Sequence, residues 1–227
     1  TGKIERCGNE SDVSSVDIED EGYWAADVAG IAGKSTGKIN LSWNKGNICT
    51  DAGAQGNAGG IAALGSEIIN CYNSGYVYGR IYAGGIVGGV IGEQSIVENC
   101  YNAGEVASKY TVGGIICYPD SDMVRRCTMN NCYNNGDLVI TGTGSSTNIG
   151  GLICYTNGIG VNINYSYSHI TPLVGVGNTF TLNNVAYKSL SSMKNLSNLT
   201  GFDSSVWTTD PNINEGYPYL IALKDTY

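Results

Sequence analysis

The 227-residue sequence predicts an all-β, right-handed parallel β-helix of about six coils, closed by a C-terminal cap that contains a short helix. Three observations carry that expectation. A Cys/Ser-aromatic-Asn motif recurs through most of the chain, a small-Gly-aliphatic motif alternates with it, and no unit sustains the 3.6-residue periodicity of a helix.

The first motif opens weakly as Arg6-Cys7-Gly8-Asn9, running on to Val13, and returns as Leu41-Ser42-Trp43-Asn44-Lys45-Gly46-Asn47-Ile48. Its full form is Asn70-Cys71-Tyr72-Asn73-Ser74-Gly75-Tyr76-Val77, followed by the copies that begin at Asn99 and Asn131 and by a degenerate copy, Tyr165-Ser166-Tyr167-Ser168. Successive motif asparagines Asn9, Asn44, Asn73, Asn102 and Asn134 are 35, 29, 29 and 32 residues apart. The second motif reads Ala29-Gly30-Ile31, Gly59-Gly60-Ile61, Gly84-Gly85-Ile86, Gly113-Gly114-Ile115 and Gly150-Gly151-Leu152. The extra residues fall between motifs, where loops off a regular scaffold absorb insertions.

Each unit holds short apolar stretches broken by Gly or Asn-x-Gly, the pattern of strands separated by corners. A single such unit cannot bury its apolar side, but stacked coils about 4.8 Å apart pair every strand above and below. Right-handed winding is the rule for strand-crossover-strand connections. Gly46, Gly75, Gly104 and Gly136 are the expected corner residues, on the reasoning that a tight corner needs a positive φ.

The Cys position holds only Cys or Ser, which suits a tight interior row. The next position runs Gly8, Trp43, Tyr72, Tyr101, Tyr133 and Tyr167, a size range that a close-packed interior rejects, so the row is expected to face outward. That placement needs a bend at the intervening Asn, because strict alternation from Ile68 and Val97 turns the tyrosines inward. An outward row of Trp43, Tyr72, Tyr101, Tyr133 and Tyr167 is either a flat stripe able to contact a sugar ring or protein, or a stacking ladder that stiffens the coil.

Charge and composition narrow the function classes. A net charge of −8 from 12 basic and 20 acidic residues disfavours nucleic acid. No apolar run reaches the roughly 20 residues of a membrane helix, so this segment is not expected to insert into a membrane. Thr1 starts the chain with no Met or apolar signal core, which points to a piece of a longer chain. The eight cysteines follow the repeat and not a pairing pattern, with Cys127–Cys132 the one candidate bridge, and no spacing suggests a metal or cofactor. His169 has no nucleophile context, and Gly142-Thr143-Gly144 lacks the Lys-Ser/Thr of a phosphate loop. The acidic run Asp17 to Glu21 lacks the spaced ligands of a calcium loop. For a glycan-cleaving β-helix, only Glu98 and Glu105 invite a carboxylate role, and acids do not recur across coils.

The repeat resembles the GLUG motif, a glycine-rich repeat of bacterial cell-surface proteins that include adhesin-like chains and the repeat regions of some IgA-specific metallopeptidases. The match spans about residues 2–170 and rests on Gly84-Gly85-Ile86-Val87-Gly88 and on Ile-x-Asn-Cys-Tyr-Asn in phase; Cys117 and Cys154 depart from it at the closing glycine. The resemblance implies a location outside a bacterium and carries no catalytic residue. It implies a non-catalytic module, stalk or adhesin, in contact with a host or matrix protein or a glycan. The alternative is a carbohydrate-binding or polysaccharide-cleaving β-helix. Residues 171–227, with a helix start near Ser191 and a Gly-Tyr-Pro-Tyr-Leu ending like those that follow GLUG repeats, are expected to cap the last coil.

Overall fold

The chain, as a computed structural model describing residues 2–15, 26–50, 56–119, 126–143, 147–154, 160–176 and 179–227, winds into a parallel β-solenoid. Four parallel sheets of nine, seven, five and five strands run along it. In the seven-stranded sheet Gly8, Trp43, Tyr72, Tyr101, Tyr133, Tyr167 and Ala186 are in register, one per rung. Among the described residues the stack therefore has seven rungs, one more than the six visible motif copies. The seventh, Thr179–Asn183 with Ala186–Tyr187, lies beyond residue 170, where the visible motif ends.

One backbone feature recurs in every rung. Arg6, Leu41, Asn70, Asn99, Asn131, Tyr165 and Asn184 all have φ between 48° and 54°. These left-handed residues close the longest strand of each rung and reset the side-chain alternation. Ile68 points inward, the bend falls at Asn70, and Cys71 again points inward. The left-handed turn expected at the corner glycines is thus made five residues earlier, mostly by Asn, whose short polar side chain accepts this region. Gly46, Gly75, Gly104 and Gly136 do not share it: among the described glycines positive φ belongs to Gly92, Gly201 and Gly216. Those corner glycines are required by contact. A Cβ on Gly75 or Gly104 would stand 2.1 or 2.0 Å from the carbonyl oxygen of the glycine one rung below.

Left-handed Asn also explains why the next position is Cys or Ser. The thiols of Cys71, Cys100 and Cys132 donate to the carbonyls of Ile69, Glu98 and Asn130 at 3.1–3.2 Å. Ser42 and Ser166 donate to Asn40 and Asn164 at 3.0 and 2.9 Å. A small side chain with one donor is what the site accepts. All eight cysteines are free thiols; Cys127 faces inward from the long strand and Cys132 follows the bend at Asn131, so the one candidate bridge does not form.

Two columns of the motifs meet in the core. Asn44, Asn73, Asn102 and Asn134 are fully buried. From Asn9 upward, each Nδ2 donates to the Oδ1 of the next rung's Asn at 2.7–2.8 Å. Each Nδ2 also donates to the carbonyl two residues on, at 2.7–3.0 Å. Opposite this ladder stand Gly60, Gly85 and Gly114 of the second motif, where a Cβ would lie 2.4–2.6 Å from the Cγ of Asn73, Asn102 and Asn134. The Gly-Gly-aliphatic motif thus exists to let the backbone close on the amides, while Ile61, Ile86, Ile115 and Leu152 fill the adjoining apolar core.

Because no relaxation of one side chain relieves a backbone clash, Gly104→Ala is expected to lose about 1–3 kcal/mol of stability, read by urea unfolding. A loss below a few tenths would contradict the close approach.

Candidate functional site

The aromatic row does leave the solenoid's interior, as the bend at Asn70, Asn99 and Asn131 requires, but it does not reach solvent. Tyr72, Tyr101, Tyr133 and Tyr167 are 0–3% exposed. Their cover is the C-terminal segment, which runs along this flank rather than across the end of the stack. It begins with a one-turn helix, Leu190–Met193, capped by the Ser189 side chain. It then passes through an antiparallel pair, Trp207–Thr208 with Tyr219–Leu220, and ends in a 3-10 helix, Ile221–Thr226. The expected cap is therefore a lateral clasp.

Stacking and hydroxyl chemistry both hold the clasp in place. Rings of Tyr72 and Tyr101 stack at 5.2 Å and those of Tyr101 and Tyr133 at 4.9 Å, close to the strand spacing. Tyr227 continues the stack beside Tyr72 at 4.8 Å. Every hydroxyl of the covered row has a partner on the clasp. Tyr167 donates to the Thr200 carbonyl at 2.9 Å, Tyr133 to the Pro218 carbonyl, Tyr101 to the Tyr227 hydroxyl at 2.7 Å and Tyr72 to the Thr226 carbonyl at 3.0 Å. Phe202 and Trp207 lie tilted across Tyr133, their centroids 6.2 and 5.8 Å away. Burial pushes the Tyr72 hydroxyl up to about 12, and those of Tyr101, Tyr133 and Tyr227 upward as well.

Trp43 departs from the row. Its ring lies over rung one, where a Cβ on Gly8 would stand 2.2 Å from Cε2, and its Nε1 is buried without a partner. Leu41 and Tyr165 carry the left-handed backbone without Asn. Leu41 packs against the clasp cluster, and the Tyr165 ring is where a Cβ on Gly201 would fall, so clasp contacts offset their strain.

The other sequence candidates are dispersed. Glu98 accepts from the Asn130 Nδ2 at 3.1 Å, within a side-chain ladder that continues to Asn164. Glu105 sits exposed at the following corner. His169 lies 3.4 Å from both the Asn134 carbonyl and the exposed Asp137 carboxylate. Gly142 abuts the Lys109 carbonyl of the rung below, whereas Gly144 and the acidic run Asp17 to Glu21 lie outside the described residues. Among the described residues no three His, Cys, Asp or Glu gather as metal ligands.

One outward aromatic feature went unread in the sequence. Tyr82 and Tyr118, on consecutive rungs but different sheets, stack at 5.0 Å and are half-buried. Lys109 lies 5.4 Å over the Tyr110 ring in the turn between the sheets. Neither tyrosine belongs to a recurring column: Tyr82 is in register with Asn57 and Thr111, and Tyr118 with Gly89. Repeat analysis passes over such a pair for that reason.

Two outcomes follow from the clasp. Trp207→Ala should cost about 3–5 kcal/mol in denaturant unfolding and reduce the near-ultraviolet dichroism of the stacked rings. Trp207→Phe should cost much less, because Nε1 makes no hydrogen bond. Equal losses would refute this account. The raised tyrosine values fix the sign of the alkaline response: an unfolded tyrosine ionises near 10, so stability is complete below that pH and falls as pH climbs through about 12. Absorbance at 295 nm should show the covered tyrosines titrating late and together with loss of dichroism; a single transition near pH 10 with dichroism intact would contradict their burial.

Comparison with known proteins returns the same architecture. No family model matches the chain, and no curated protein matches it. A crystal structure from Bacteroides ovatus, bearing the name "putative immunoglobulin A1 protease", is similar over 97% of this chain and 69% of its own, with a TM-score of 0.67 and 22% identity. At that identity the likeness establishes the fold alone, a parallel β-solenoid.

Proposed function

We propose that this chain is a non-catalytic scaffold module of a bacterial surface or secreted protein, a stalk or adhesive segment of the kind that GLUG-like repeats build. One observation carries the reading: the polar groups that recur from rung to rung are engaged within the fold itself. The motif asparagines bond one another, the thiols and hydroxyls bond backbone, and the tyrosine hydroxyls bond the clasp. Of the acids weighed for glycan cleavage, Glu98 is part of an inter-rung ladder and Glu105 stands apart at a corner. A catalytic surface needs groups left unengaged and converging on one point. The neighbour's protease name belongs to that protein, and fold likeness transfers no reaction.

A second reading, glycan contact, is favoured by the half-exposed Tyr82–Tyr118 stack and by Tyr110, which Lys109 covers and which precedes Thr111, the register partner of Tyr82. Aromatic faces beside a cation suit an anionic sugar. It replaces the Tyr72 row, which the clasp covers.

Incubating the purified chain with immunoglobulin A1 and a panel of polysaccharides is expected to yield no products above buffer, while beads coated with it bind matrix proteins or glycans. Cleavage abolished by His169→Ala or Glu98→Gln would overturn the scaffold reading. Bead binding to an anionic glycan that disappears in Tyr82→Ala/Tyr118→Ala, with the melting curve unchanged, would select the second reading.

A further inference from the structure

The two ends of the stack differ in a way that neither the repeat nor the clasp accounts for. Rung one carries Lys3, Glu5, Arg6, Glu10 and Asp12 within ten residues, including the Lys3–Glu5 ion pair at 2.8 Å. Charged edges of this kind resist strand addition. Rung seven has no such protection. From Ile170 to Tyr187 there is no Asp, Glu, Lys, Arg or His.

The last rung also exposes the ends of the interior columns. Leu182 is in register with Ile163, which is in register with Met129; those two are 0% exposed, whereas Leu182 is 48% exposed. Tyr187, in the column of Ser168 and the buried Asn134, is 54% exposed. Val176 at 56% and Leu190 at 40% adjoin them, so half of the eight large apolar side chains exposed among the described residues gather at this end. The strand Thr179–Asn183 pairs on one side only, with Gly160–Asn164, and leaves its other edge open among the described residues.

The chain's own path leads away from this surface. After the one-turn helix the clasp descends the flank, meeting rung six at Thr200, rung five at Pro218 and rungs three and four at Thr226 and Tyr227. Arg6 of rung one donates to the Ala222 carbonyl at 3.5 Å. Residues continuing past Tyr227 therefore start near the middle of the stack, several rungs from the open end.

We propose that the open face of rung seven is covered by the same face of a second copy, in a two-fold, end-to-end dimer. The two strands of rung seven carry no charge, and Lys188 just past them turns its ammonium down to the Tyr167 ring at 5.6 Å, so two chains of net charge −8 meet here without opposed carboxylates. Self-complementarity follows from symmetry: the two-fold sets Thr179–Asn183 antiparallel to its twin, with Thr181 near the axis, and pairs both open edges at once. Head-to-tail stacking would instead press this face on the charged rung one and would not close.

The 227-residue chain is expected to sediment at twice 23.9 kDa at tens of micromolar and to dissociate on dilution. Leu182→Lys and Tyr187→Lys should each yield a monomer with unchanged far-ultraviolet dichroism and at least a tenfold weaker association. Because Ser occupies the position of Cys7 in the next rung, Cys7→Ser/Thr181→Cys provides a direct probe, expected to cross-link to a covalent dimer under mild oxidation only when Leu182 is intact. A wild-type mass of 23.9 kDa at every concentration overturns the proposal. So does growth beyond two copies, failure of the Thr181→Cys chain to cross-link, or a dimer that survives both lysine variants.

Discussion

The structure depends on one constraint: equivalent residues must lie directly above one another, so that each rung completes its neighbour's hydrogen bonding. The buried amide column makes this strict. An Asn side chain in a dry core is costly unless its donors and acceptor are met, at roughly 1–3 kcal/mol for each group left open. Here each amide is met by the rung below, the rung above and its own corner carbonyl. A slip of one residue would strand several amides together, so the ladder sets register as well as adding stability.

From that column most of the remaining sequence pattern can be derived. The amides need backbone close by on the far side of the core, hence Gly60, Gly85 and Gly114. The corners must approach the carbonyls of the rung below, hence Gly75 and Gly104. The long strand must end with its alternation reset, hence a left-handed residue in all seven rungs and Asn in four of them. The side chain after the bend must be small and carry a donor, hence Cys or Ser. Surface ion pairs such as Lys38–Glu67, 3.0 Å apart, add little to this.

The clasp answers a different need. An outward stack of tyrosines at strand spacing is a large apolar surface with a polar rim, and the chain covers it with its own largest side chains. Function on this flank, if read from the row alone, would be assigned to residues that the molecule keeps for itself. The outward features that remain, the Tyr82–Tyr118 pair and the face of rung seven, lie outside the recurring columns or at their end.

Period, strand class, the interior Cys/Ser row and the outward direction of the tyrosines were all legible from residue order, because each follows from a local rule repeated several times. The bend at Asn70, Asn99 and Asn131 was legible too, as the one way to reconcile Ile68 with Cys71. The reason for Gly75 and Gly104 was not, since what forbids a Cβ there is a carbonyl one rung away and no φ of their own. Nor was the seventh rung, whose Asn183-Asn184-Val185-Ala186 keeps the geometry after losing the motif. The clasp's position was beyond reach of pattern as well: composition places large side chains at 202–227, but only packing decides that Tyr72 to Tyr167, with hydroxyls to satisfy, attract them more strongly than the open end of the stack.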